Sequence, residues 1–376
     1  MTGTTVRPET AENLSVKILS TGGHVPGDPI DNAALEKIVG PLPDDVLAGI
    51  EVETRHWMID TVTGRHLTSN SRMAEAAGRQ ALERAGVGAD EIDLLVVCTA
   101  SPEYLLPNVA TTVQHYLGLE RCAAIEVRGA CAGWVQALDI ARRQLADGTA
   151  RTALVIGSEA ISPLMAPMFL GKDPFKVRMR ERLTLYTFGD GAGAVLLRAE
   201  PAEAGHRDDF AFVNACMGGL RKPGMEIIGG GTDVSQQEQL QRKRLIDMKV
   251  DVPGTTTFSP RVFVTAVQDM TARSGWSLSD LDALVLPEGN ADYFAREYED
   301  AGLSAADDEA LNGKIVENLA EVGATGSAAV PLALDAAWVS GRIRPGHKVV
   351  LLGIEASRYV YTGLSLTWQT PAYAAA

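Results

Sequence analysis

One of the four cysteines sits where a thiol can do chemistry. Cys131 lies in Arg128-Gly129-Ala130-Cys131-Ala132-Gly133-Trp134, just after the apolar run Ala123-Ala124-Ile125-Glu126-Val127. A helical pattern follows over 135–145, so the turn delivers the thiol to a helix N-terminus. Unpaired backbone N–H groups and the positive end of the helix dipole favour a thiolate there. Small neighbours on both sides leave room for a carbonyl carbon to reach the sulfur, which suits acyl transfer through a covalent intermediate. A cysteine among small residues can equally be inert packing, and the turn alone does not separate the two.

Other candidates are fewer. Glu288, in Leu286-Pro287-Glu288-Gly289-Asn290, follows an apolar strand pattern. Strand ends on α/β folds carry sites, although a carboxylate there can simply cap a turn. Asn290 is a second polar group in the same stretch. The histidines fall in polar turns, in the basic segment around His56 and His66, or on the helix carrying His115, and read as surface or packing residues. A base must be positioned to reach its proton. The glycines of Gly189-Asp190-Gly191-Ala192-Gly193 lead into a strand at 194–197 rather than opening a helix, so they read as a turn and not as a phosphate loop. The cysteines show no paired spacing, so neither a metal site nor a disulfide framework is expected and the compartment is reducing, the cytoplasm.

These groups need elements to hold them. The chain has 376 residues, 46% hydrophobic and 22% charged, with 48 acidic against 34 basic residues and a net charge of −14. That is the composition of a soluble globular protein, and its sign argues against nucleic acid or an anionic membrane as partner. The polar first residues lack a signal-peptide core, and no apolar run approaches the roughly 18 residues of a membrane span.

The chain repeats itself. A helical pattern at 73–85 leads through Gly86 and Gly88 to a strand at 93–97, and one at 264–273 leads through Gly275 to a strand at 282–286. The Cys131 turn runs into Ala137-Leu138-Asp139, and Gly323-Ala324-Thr325-Gly326-Ser327 runs into Ala333-Leu334-Asp335, which sets Ser327 opposite Cys131. Strands at 152–160 and 348–357 both end in Gly-x-Glu-Ala. Strands alternating with helices imply mostly parallel sheets covered on both faces. Two such halves, 1–200 and 201–376, give a duplicated α/β/α/β/α fold with a pseudo-twofold axis and the nucleophile at the junction.

With these motifs in hand, the chain resembles the thiolase superfamily and, within it, the ketosynthase III (β-ketoacyl-carrier-protein synthase III) branch. The resemblance spans about 49–368 and is carried by Cys98-Thr99-Ala100-Ser101-Pro102-Glu103-Tyr104, the Cys131 turn, Thr187 through Val195, and Gly323 through Ala329. It implies a homodimer in which Cys131 takes an acyl group from an acyl-CoA or acyl-carrier-protein thioester, with no other cofactor and no metal. The Cys131 N–H and a second N–H would hold the oxyanion. The second falls on Ser357, in Glu355-Ala356-Ser357-Arg358. Ala324 and Thr325 fall at the turn that faces substrate in the family.

The departures matter. The family's catalytic His position is Glu288 and its Asn position is Ala324. Neither side chain donates to an enolate oxygen, and a charged Glu288 repels one. A carboxylate suits a different task, accepting a proton from an attacking hydroxyl or amine. The expected function is therefore acyl transfer to a hydroxyl or amine of a small natural-product acceptor. The alternatives are carbon–carbon condensation with an atypical triad, and a non-catalytic partner subunit. The segment 161–185 is longer than the family's and carries Met165, Met168 and Phe169, candidates for an adaptable acyl pocket. Its Lys172, Lys176, Arg178 and Arg180 suit CoA phosphates or a carrier protein, or else a dimer interface. The glycine-rich stretch 229–244 is expected to gate the entrance.

Overall fold

The computed structural model describes residues 14–202, 209–242, 244–287 and 302–373. Two five-stranded sheets form the frame. The first holds β1 (Leu14–His24), β2 (Leu94–Cys98), β3 (Ala123–Val127), β4 (Thr152–Glu159) and β5 (Gly191–Pro201), in the order β1-β5-β4-β2-β3. The second holds β6 (Ala211–Cys216), β7 (Ala283–Val285), β8 (Ile315–Val316), β9 (Lys348–Glu355) and β10 (Val360–Thr367), in the order β6-β10-β9-β7-β8. Adding five to each label turns one order into the other, so the repeat in the sequence is a repeat in the topology.

In each sheet the β2- or β7-centred pairs are parallel and the other two pairings antiparallel. The sheets are therefore mixed, which corrects the expectation of mostly parallel strands. The cause is visible at the β9–β10 connection. Four residues separate Glu355 from Val360, too few for a crossover, and a short link enforces an antiparallel pair.

The helices make the remaining layers. Helices α1 (Asn70–Ala85) and α2 (Val109–Leu117) cover the outer face of the first sheet. Helix α3 (Ala130–Ala146) packs on β2 and β4 on one side and on β9 and β10 on the other. Between α3 and the last helices come α4 (Met179–Thr187) and α5 (Val252–Ser274), the latter on the outer face of the second sheet. Helix α6 (Ala329–Val339) shares the central layer with α3. The result is the five-layer arrangement read from the repeats. One buried cluster fills the space between the sheets, with Trp134, Leu138, Leu334 and Trp338 among its members. At about 25 cal/mol per Å² of apolar area removed from water, such a layer is the main force joining the halves. Among the described residues, no helix is long and apolar enough to cross a membrane.

Candidate active site

The turn before α3 explains how Cys131 is presented. A Cβ on Gly129 would stand 2.6 Å from the Gly133 Cα, so only glycine fits there. Ala130 follows with φ of 44°, in the left-handed region that residues with a side chain rarely adopt. Such a conformation costs on the order of 1–3 kcal/mol and persists only where the surroundings impose it. Cys131 is next, half-buried in the first turn of α3. The second half closes in from the other side, since a Cβ on Gly353 of β9 would stand 2.7 Å from the Cys131 carbonyl oxygen. The two halves therefore meet at the nucleophile.

Cys131 opens into a cavity of about 430 Å³. Its walls are mostly apolar, and Met165, Met168 and Phe169 stand among them as the sequence suggested. Leu164, Leu183 and Phe188 extend that wall from the same segment and α4. Across the cavity lies a hairpin, Met225–Ile228 paired with Asp247–Val250, that contributes Met225, Met248 and Val250. The stretch expected to gate the entrance is the tip of this hairpin and includes a short helix, Gln236–Gln241. No histidine among the described residues lines the cavity, and no described group of His, Cys, Asp and Glu could hold a metal.

Several expected positions fall elsewhere. Ala324 and Thr325 are fully buried and absent from the cavity wall. Ala324 is stitched to the chain behind that wall, donating to Thr187 O at 2.8 Å and accepting from Gly189 N at 3.1 Å. Gly323, just before Ala324, holds a positive φ. Ser357 is also corrected as the second oxyanion donor. Its N–H donates to Glu355 Oε2 at 2.6 Å, and Arg358 and Val360 donate to the other oxygen of the same carboxylate. Glu355 thus gathers the amides of the β9–β10 turn, and its neighbours Ile354 and Ala356 form the cavity wall instead. Glu288 and Asn290 lie outside the described residues. Pro287, just before them, lines the cavity.

The rim is charged. Glu181 on α4 is hydrogen-bonded by Arg178 and by Arg244 from the hairpin. Burial alone would raise its pKa, but those guanidiniums hold the carboxyl down at about 2. Arg178, Arg180, Arg242, Arg244 and Lys249 line an adjoining groove of about 520 Å³, with Asp247 among them. Sequence reading gave Arg178 and Arg180 to an anionic ligand and put Arg242 and Arg244 at the entrance without that role, since their partners are distant in sequence. It also left Glu159 without a role. That carboxylate ends β4, is 1% exposed, and accepts from Ala100 N at 3.0 Å and Ser327 N at 3.1 Å, joining the two halves. Cys98 lies behind the turn, where burial pushes its thiol up to about 12, so it is not the reactive cysteine.

A strained turn, a thiol at a helix N-terminus and an apolar cavity with a cationic rim together describe a site for an acyl thioester. Known proteins agree. The family profile for 3-oxoacyl-[acyl-carrier-protein (ACP)] synthase III matches residues 125–215, and that for its C-terminal part matches 271–368. A β-ketoacyl-[acyl-carrier-protein] synthase III from Rhodospirillum centenum is 31% identical over 354 residues, covering 93% of this chain and 98% of that protein. Among solved structures, AbyA1, described as a tetronic acid condensing enzyme, superimposes with a TM-score of 0.78 at 28% identity, covering 94% of this chain and all of that one. The 3-oxoacyl-(acyl carrier protein) synthase III of Pseudomonas aeruginosa gives 0.74 at 25% identity, covering 95% of this chain and 99% of that one. The fold and site define a thiolase-like condensing or acyl-transferring enzyme. The chain belongs to the 3-oxoacyl-[acyl-carrier-protein] synthase III family, and it is a transferase of that family.

Proposed function

We propose that this member moves an acyl group from a CoA or carrier-protein thioester onto Cys131, and then to a hydroxyl or amine of a small natural-product acceptor. The observation that carries the reading is Cys131 itself, set by a strained turn in the wall of an apolar cavity. In the first step the sulfur attacks the thioester carbonyl and the donor thiol leaves. In the second the acceptor oxygen or nitrogen attacks the Cys131 acyl carbon, its proton passes to Glu288, the carbon–sulfur bond breaks, and the proton returns from Glu288 to the freed sulfur. Ala324 supports this division of labour, because at the family's Asn position a methyl group cannot donate to an enolate oxygen. Condensation to a new carbon–carbon bond is the second reading, favoured by the likeness to AbyA1, a tetronic acid condensing enzyme.

We place the enzyme in the cytoplasm as a homodimer. Strand β3 is a partly exposed edge strand. The nearby loop presents Leu105 at 69% and Leu106 at 84% exposure, an apolar face suited to a second copy. The test of the chemistry is intact-protein mass after incubation with acyl-CoA and acyl-carrier thioesters. A mass gain absent from Cys131→Ala is expected. No adduct from any donor would overturn the reading. Release of carbon dioxide from malonyl donors with a lengthened product would replace it by the condensing one.

A further inference from the structure

Ser327 occupies in the second half the place that Cys131 occupies in the first, and the two turns touch. The Ser327 hydroxyl lies 3.2 Å from the Ala130 carbonyl oxygen and 2.9 Å from Glu159 Oε2, and both Ser327 and Glu159 are 1% exposed. A hydroxyl has one proton and serves one acceptor at a time. Glu159 is already supplied by Ala100 N, Ser327 N, Thr99 Oγ1 and Ser101 Oγ, and Cys98 Sγ donates to the Ser327 oxygen. Three of those donors reach Oε1 and only Ser327 N reaches Oε2, so the Ser327 hydroxyl shares its proton between Oε2 and the Ala130 carbonyl oxygen and ties the carboxylate to the Cys131 turn.

We propose that Ser327, braced by Glu159, is the positioning residue for Cys131. The Ala130 carbonyl and the Cys131 N–H belong to one planar trans peptide and point in opposite directions. A hydrogen bond that fixes the carbonyl thereby aims the N–H, and it holds Ala130 in its left-handed conformation. Ala130 opens α3, so its carbonyl is also held within the first turn of the helix, and loss of the Ser327 bond removes the hold from the second half and loosens the aim of the thiol. The inference rests on the reading of Cys131 as the nucleophile.

The matched pair Ser327→Ala and Ser101→Ala tests it. Each removes one hydroxyl from the Glu159 carboxylate, but only the first faces Ala130. The readouts are thermal unfolding and the pH profile of iodoacetamide alkylation, followed at the Cys131 peptide by mass. Ser327→Ala is expected to slow alkylation at neutral pH by roughly five- to tenfold and to move the midpoint up by about half to one pH unit, the reach of a helix terminus on a charge. With an acyl donor, kcat falls and KM holds. Ser101→Ala keeps the parent profile even where its melting temperature drops. A Ser327→Ala profile that superimposes on the parent, or an equal shift in Ser101→Ala, overturns the inference. Should Ser327→Ala not fold, the near-isosteric Ser327→Cys, whose thiol is the weaker donor, must show an upward shift at the Cys131 peptide. Alkylation needs no acyl donor, so a Ser327-dependent profile without an acyl-enzyme would keep this inference while removing the acyl-transfer reading.

Discussion

Replacing Gly157 by alanine drives a wedge between the halves. A Cβ there would stand 2.0 Å from the Ser327 carbonyl oxygen, 2.9 Å from the Ser327 carbonyl carbon and 2.9 Å from Trp134 Cδ1. Real Cβ atoms essentially never come within 3.0 Å of such neighbours, so the Ser327 turn must retreat by 1.0 Å or more. None of the three groups gives easily, because Gly157 sits in a strand paired on both sides and Trp134 is fully buried. Overpacking of a core costs about 1–3 kcal/mol, and a clash with backbone belongs at the upper end. At roughly 1–1.5 °C per kcal/mol for a chain of 376 residues, about 3 kcal/mol lowers the melting temperature by roughly 3–5 °C. The same retreat lengthens the 3.2 Å contact between Ser327 and Ala130, so alkylation of Cys131 slows as well. Circular-dichroism melts of Gly157→Ala, with Gly219→Ala as control, measure the effect. Nothing lies within 4 Å of a Cβ on Gly219, which should melt with the parent. A Gly157→Ala protein melting within about 1 °C of the parent would refute the packing argument.

Two further perturbations probe the rim and the outer face. The Glu181 carboxyl is held at about 2 in the fold against 4.5 for the free side chain. A depressed folded value stabilises above the unfolded one, so its contribution is whole above about pH 4.5 and disappears as the pH falls toward 2. Discounted for solvent screening, urea midpoints should put Glu181→Gln about 1 kcal/mol below the parent at neutral pH and level with it near the acid end. A gap that persists or widens on acidification contradicts the assignment. Leu105→Asp with Leu106→Asp should convert a dimer to a folded monomer in light scattering after size exclusion, and an unchanged mass would remove that face as the dimer contact.

Much of the plan was legible because it is written twice. Matching Ala-Leu-Asp and Gly-x-Glu-Ala segments gave the five layers, and apolar β3 followed by small residues gave the Cys131 turn. Strand direction was harder, since it depends on loop lengths such as the four residues after Glu355 rather than on apolar pattern. Met165, Met168 and Phe169 were readable because apolar residues clustered next to a site have few other destinations. Ala324, Thr325 and Ser357 went astray for a different reason. Each was placed by register against a family, and register does not say which way a turn faces: the hydrogen bonds of Ala324 to Thr187 and Gly189 and a carboxylate at Glu355 decided that. Glu159 and Arg244 find their partners across the fold, through pairings that no local spacing encodes.

The cavity wall also sets the conditions under which the protein keeps its specificity. Four methionines, Met165, Met168, Met225 and Met248, face the same space and come from both sides of it. Their thioethers are flexible and apolar, which lets the wall adapt to acyl chains of different shape. Peroxide converts such groups to sulfoxides, which are polar, bulkier and chiral. Oxidation would therefore wet the acyl pocket from two sides at once, while leaving the strands and helices that frame it intact. On the proposed acyl-transfer reading, substrate preference would then follow redox state through residues that take no part in the chemistry, and a reductase acting on methionine sulfoxide would restore it.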